Sequence, residues 1–213
     1  MCPWTLVSYA VDDDDEAFVT CGSFIKIQHK DTGYYLSSEE KQLNGGSGQN
    51  IVTFIQDPSS HNTLWWIRAA HHGKDESEYG PSTTCPQVAA PVACGTTIRL
   101  THMDTKRNLH SHQSQCPLSR QQEVTCYGTG DTHGDGGDDW MVECSGKFWT
   151  RETTVRFKHV DTSKYLGTAS QYEFNQNTCG QGCPIMNHLE SYARSVNSPD
   201  TVFQVNQGIH LSR

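Results

Sequence analysis

The sequence predicts an all-β protein, a β-trefoil of three lobes, on the strength of a repeat and its two echoes. The pattern apolar, basic, apolar, any residue, His, any residue, Asp, Thr, three variable positions, Leu occurs as IKIQHKDTGYYL at 25–36, IRLTHMDTKRNL at 98–109 and VRFKHVDTSKYL at 155–166. Each copy is followed by an aromatic-x-aliphatic pair: Trp65 and Ile67, Trp140 and Val142, Phe203 and Val205. Between them, Gln49 to Thr53 resembles Gln121 to Thr125, and the step from Pro117 to Glu123 recurs from Pro184 to Glu190. The unequal spacing of His29, His102 and His159 argues against a solenoid of fixed pitch. Three lobes of about four short strands each describe a short barrel capped by three hairpins.

Composition agrees with short strands and many turns. The chain has 213 residues, 34% of them hydrophobic, with 18 Gly, and that length suffices to bury roughly 70% of the unfolded surface. A formal charge of −8 leaves no basic stripe for phosphates, so nucleic acid is excluded as a partner. No apolar run is long enough to span a bilayer. The start, MCPWTLVSYAVDDDD, lacks a basic leader region, and the end, GIHLSR, carries no retention tetrapeptide; removal of a leader is the expectation.

The domain reading is a flexible acidic segment over 1–18 and one domain over 19–211, with lobes near 19–92, 93–148 and 149–211. Asp12, Asp13, Asp14, Asp15 and Glu16 lack the spaced ligands and Gly of a calcium loop.

Nine cysteines, Cys2, Cys21, Cys85, Cys94, Cys116, Cys126, Cys144, Cys179 and Cys183, predict an oxidising compartment and disulfides rather than zinc, whose paired short spacings are missing. An odd count leaves at least one thiol free or intermolecular. Cys85 with Cys94, and Cys179 with Cys183, are the pairs expected to close locally, provided their Cα atoms lie within about 7 Å.

Strand parity assigns the motif residues. Ile98, Leu100 and His102 share one face, as do Ile25, Ile27 and His29, and Val155, Phe157 and His159. His29, His102 and His159 are therefore expected to face the core and satisfy buried backbone groups. Asp31, Asp104 and Asp161 are expected to hold the following turns through Asx-type bonds. Trp65, Trp140 and Phe203 are expected core residues.

After the second turn, Leu109 and Ser111 are expected to face inward, with His110 and His112 outward. Two histidines at i and i+2 need a converging third ligand to hold a metal. Asp138, Asp139 and His133 are the residues folding could bring near, but the reading is of a polar surface, with no metal and no cofactor.

Catalytic signatures are missing: no Gly-x-Ser-x-Gly, no His-Glu-x-x-His and no recognisable Cys-His pair. The Gly-rich stretches NGGSG at 44–48 and GDGGD at 134–138 lack the context of a phosphate loop and read as turns.

The words VTCGS at 19–23, SGQ at 47–49, CGTTIRLTHMDTKRNLHSH at 94–112, PLSRQQEV at 117–124, DDW at 138–140 and VRFKHVDT at 155–162 resemble the stromal cell-derived factor 2 family, proteins of three MIR repeats. The resemblance covers residues 19 to 211 and is densest in lobe two. It implies a non-enzymatic trefoil of the endoplasmic reticulum lumen in protein quality control, associated with a J-domain co-chaperone and the luminal chaperone system. The departures are LSSEEKQLNGGSGQ in lobe one and the Cys179 to Cys183 insertion in lobe three.

Trefoil lobes also suggest a glycan-binding module for O-mannosylated or unfolded glycoproteins as the alternative. Trp4 and Trp149 are its candidate stacking platforms, although such aromatics more often fill core. The partner surface expected in lobe two consists of Arg99, Arg107, Asn108, His110, His112 and Glu123.

Overall fold

The computed structural model describes residues 17–42, 46–71, 85, 87–128 and 134–212. The expected flexible segment, apart from Ala17 and Phe18, lies outside the described residues, as do Cys2, Trp4 and His133.

Among the described residues, thirteen strands follow the repeat. The first copy supplies β1 (Phe24–His29), β2 (Tyr35–Gln42), β3 (Asn50–Ile55) and β4 (Trp65–Ala69). The second supplies β5 (Thr97–His102), β6 (Asn108–Gln115), β7 (Gln122–Tyr127) and β8 (Trp140–Cys144). The third supplies β9 (Val155–His159), β10 (Tyr165–Gly167), β11 (Leu189–Glu190), β12 (Tyr192–Arg194) and β13 (Phe203–Ile209), with a short helix, α1 (Gln176–Cys179), inserted between β10 and β11.

Ten strands form a closed antiparallel ring. Its order is β10, β12, β7, β3, β2, β1, β4, β5, β8, β9 and back to β10. Strand β13 bridges β1 and β9, β6 lies between β5 and β7, and β11 extends β3. The all-β class holds, but the β-trefoil is corrected to a closed ten-stranded barrel with three additional strands. Strands β2, β3, β7, β10 and β12 are links of the ring itself, not hairpins that cap a smaller barrel. The decisive pairing joins different repeats, Asn50 with Cys126 and Ile51 with Thr125. Closure of this kind removes exposed strand edges.

Alternation places the core. Strand β1 buries every second residue, as does β9, and Trp65, Trp140 and Phe203 have no exposed surface. Each contributes about 1.5–3 kcal/mol by leaving water. The two indoles need an acceptor inside the core: Trp65 Nε1 donates to Leu36 O and Trp140 Nε1 to Leu109 O, each at 2.9 Å. Trp149, a candidate platform, is fully buried against Phe157 at a centroid distance of 5.6 Å, which removes it from any surface.

The three motif turns share one backbone path. The amides of Gly33, Lys106 and Ser163 each donate to the carbonyl of the motif His at 2.9 Å, and all three residues have positive φ, at 74°, 56° and 56°. Only Gly33 adopts this without a Cβ penalty. The expected Asx bonds are corrected: threonines tie these turns to the His Nδ1, Thr32 at 2.9 Å, Thr105 at 3.1 Å and Thr162 at 2.8 Å. Asp104 instead faces His61 Nε2 at 3.0 Å. Asp31 and Asp161 are exposed.

Disulfides link Cys21 to Cys85, Cys94 to Cys144 and Cys179 to Cys183, with Cα separations of 5.7, 5.3 and 5.4 Å. The local pairing of Cys85 with Cys94 is therefore corrected: each is bonded to a sequence-distant partner, and beside Cys94 the Ala93–Phe148 bridge holds the chain next to the segment that follows Cys144. Cys116 and Cys126 are buried free thiols; burial pushes the Cys126 thiol up to about 12 and the Cys116 thiol higher still.

Candidate functional site

Before each buried aromatic of the repeat stands a 3-10 turn: His61–Thr63, Gly136–Asp138 and Pro199–Thr201. The second turn builds the site. Asp135 Oδ1 accepts from Gly137 N at 2.9 Å while Asp138 Oδ2 accepts from Asp135 N at 3.2 Å, a reciprocal cap. This turn lies directly on β6. A Cβ on Gly137 would stand 2.4 Å from His110 Cε1, so only glycine lets the turn approach the ring this closely.

The outward orientation of His110 is corrected by that contact. His110 is 4% exposed, and Asn108 and Glu123 are also buried. Of the six residues expected to form a polar surface, Arg99, Arg107 and His112 are half-buried and three are interior. Parity was read correctly for Leu109 and Ser111, yet the opposite face of β6 carries its own cover.

Asp138 is the centre of the arrangement. Its carboxylate, fully buried, faces His110 Nδ1 at 3.0 Å, Asn108 Nδ2 at 2.9 Å and His71 Nε2 at 3.0 Å. Arg99 NH1 lies 3.2 Å from the same His71 nitrogen, and Arg99 Nε donates to Ala69 O at 2.6 Å. The neighbouring Asp139 accepts from His71 N at 2.9 Å. Burial, reinforced by the Asp138 charge, raises its carboxyl to about 7 despite that bond and Arg99. Farther along β6, His112 Nε2 lies 3.2 Å from Glu123 Oε2, and Glu123 accepts from Ser47 N at 3.2 Å. Burial and then the nearby His110 lower the His112 pKa. Arg107 NH1 donates to Gly128 O at 2.7 Å.

His110, Asp135 and Asp138 offer ligand atoms that all lie within 4.8 Å of one another. Both Asp138 oxygens already accept from protein donors, so the carboxylate is the centre of a hydrogen-bonded hub that fixes the turn before β8 onto β6. Chemically it orders groups without presenting a nucleophile. Sequence reasoning named Asp138 but missed His71 and Asp135. The available signal was the four-residue spacing Ser60 to Thr63, Asp135 to Asp138 and Ser198 to Thr201, a capping pattern recurring two residues ahead of Trp65, Trp140 and Phe203.

Comparison with known proteins decides the family. A model of the MIR domain matches residues 47–181. Stromal cell-derived factor 2 of Bos taurus is 36% identical over 95% of this chain and 86% of its own length. The chain belongs to the stromal cell-derived factor 2 family of MIR-domain proteins. The crystal structure of the SDF2-like protein from Arabidopsis thaliana superposes with a TM-score of 0.78 at 29% identity, covering 92% of this chain and 98% of that one. The S. cerevisiae protein O-mannosyltransferase Pmt1-Pmt2 complex bound to its sugar donor contains a chain that matches with a TM-score of 0.73 at 27% identity, over 91% of this chain and 26% of that one. Together these likenesses fit a MIR module related to the endoplasmic reticulum, and the disulfides are consistent with the secretory pathway. Among the described residues no helix is long and apolar enough to cross a membrane.

Proposed function

We propose that this family member is a non-enzymatic binding module of the endoplasmic reticulum lumen, a single domain over 19–211 that works in protein folding and quality control with a luminal J-domain co-chaperone. The observation that carries this reading is the use of the conspicuous polar groups of the second repeat as internal supports: the Asp138 hub ties down His71, Asn108 and His110. Beside that hub Arg107 and the carbon edge of His112 remain partly open to solvent, and an interface of weak or standard size there would take Arg107 as its anchor.

Titration of a luminal J-domain protein into the full chain tests this. Replacing Arg107 and His112 together by Ala is expected to leave the fold intact and weaken binding by roughly 2 kcal/mol, about 30-fold. Unchanged affinity in the folded double variant moves the interface to another repeat, and no binding by the parent chain contradicts the reading.

Glycan binding is the second reading, and a polar pocket beside Gln122 favours it. Titration with simple mannosides separates the two readings.

A further inference from the structure

A pocket of about 420 Å³ opens between the distal end of the β6–β7 hairpin and the turn that follows His159. Its wall includes Gln122, which is 4% exposed, and the hydrogen-bond directions around that side chain are determined. His159 Nε2 lies 2.9 Å from Gly137 O, so that nitrogen carries the proton. Nδ1 of the neutral ring then accepts, and Thr162 Oγ1 donates to it at 2.8 Å. Having donated its only hydrogen, Thr162 Oγ1 can only accept from Gln122 Nε2, 2.9 Å away. On the other side Ser111 Oγ donates to Glu123 O at 2.7 Å and must also accept from Gln122 Nε2, at 2.8 Å. Both amide hydrogens of Gln122 are thereby engaged. Its Oε1 accepts no hydrogen bond from the described residues, a polar atom on a nearly buried side chain that lines the pocket.

We infer that this pocket binds a neutral polyhydroxylated ligand, a hexose or the end of a short oligosaccharide, with Gln122 Oε1 as the fixed acceptor for one of its hydroxyls. The inference deepens the second reading above and is independent of the first. A ligand here must give a hydrogen to Gln122 Oε1 and to Asp161, and take hydrogens from Arg120 and Lys164, while Gln113 and Gln115 at the rim serve either way. Hydroxyl groups alone do both from one atom. An anion would be drawn to Arg120 and Lys164, but it has no hydrogen to give to the fixed carbonyl oxygen of Gln122 or to the Asp161 carboxylate, so it leaves both acceptors unmet. An extended peptide is disfavoured too, since every residue lining the pocket is polar or charged and none offers an apolar subsite for a buried side chain. With little apolar surface to cover, affinity is expected in the millimolar range.

The test is an NMR titration of the isotope-labelled full chain with the methyl glycosides of glucose, mannose and galactose, and with a Ser-Gly-Ser peptide as control. The expected result is saturable shifts of the Gln122 and Gln113 side-chain amides for at least one glycoside and none for the peptide. Replacing Gln113 and Lys164 together by Ala, both at the rim, is expected to weaken that binding about tenfold while the remaining spectrum stays unchanged. Shifts confined to another part of the surface would overturn the pocket while sparing the glycan reading. Shifts with no glycoside would end both, and shifts with the peptide alone would assign the pocket to a polypeptide.

Discussion

His159 donates from Nε2 to the carbonyl oxygen of Gly137 at 2.9 Å, so the histidine of one repeat caps the 3-10 turn of the repeat before it. His102 makes the same bond to Asn62 O at 2.9 Å. In both rings Nδ1 is left to accept from the motif threonine, and the neutral imidazole is the form that satisfies both sides. His102 and His159 are therefore joints between repeats. Burial, the largest influence, lowers the pKa of His29, His102 and His159 below the ordinary 6.5.

The first prediction follows from that shift. A histidine whose folded pKa is depressed contributes stability that is complete above the unfolded value near 6.5 and is lost as pH falls below it. Asp139 and Glu190 act in the opposite sense, because burial raises both carboxyls, so the Asp139→Asn, Glu190→Gln double variant leaves the buried histidines to set the slope. Its urea midpoint is expected to fall between about pH 7 and about pH 5. A midpoint that stays constant or rises over that range would show that the rings are not held neutral.

Asp139 itself gives the second prediction. Its carboxyl is raised from 3.8 to about 7, so its contribution is intact below 3.8 and declines as pH rises through about 7. Asn at this position keeps an acceptor for His71 N and removes the charge. Thermal unfolding at about pH 8 is expected to show Asp139→Asn stabilised by on the order of 1 kcal/mol, with the gain vanishing near pH 4. A loss of stability at the higher pH would contradict the assignment.

Removing the hub is expected to be costly. Asp138→Ala leaves His110, Asn108 and the Asp135 amide without their common acceptor in the interior, and equilibrium unfolding is expected to show a loss of about 3–5 kcal/mol. A change under 1 kcal/mol, on the scale of exposed pairs, would mean that the carboxylate is not buried as described.

The disulfides differ in what they constrain. Cys21–Cys85 and Cys94–Cys144 span 64 and 50 residues, whereas Cys179–Cys183 spans 4. The chain-entropy relation gives about 4 kcal/mol for each long loop and about 2 kcal/mol for the short one. Denaturation of the paired Cys→Ser variants checks the order, and equal losses for the long and short links would refute it.

Much of the fold was legible because the repeat repeats the physics: alternation in β1, β5 and β9 marks the core face, and Trp65, Trp140 and Phe203 recur at matching offsets. The closure of the barrel was not legible, because the pairing of β3 with β7 joins different repeats and leaves no periodic trace in either. His110 was misplaced for a related reason. Parity says which face of β6 a side chain takes, and only the tertiary return of Gly136–Asp138 covers the outer one. Cys85 and Cys94 failed as a pair because proximity in sequence is a poor guide where antiparallel strands bring distant ends together.

Crosslinking of the full chain in endoplasmic reticulum lumen extract, read by mass spectrometry, tests the proposed role most directly. Lys106 is exposed beside Arg107 and supplies a reactive amine at the proposed interface. A J-domain co-chaperone is expected among the captured proteins, linked through Lys106 and lost when Arg107 and His112 are replaced. Capture of no J-domain protein, or links made only from other repeats and unaffected by those replacements, would contradict the proposed role.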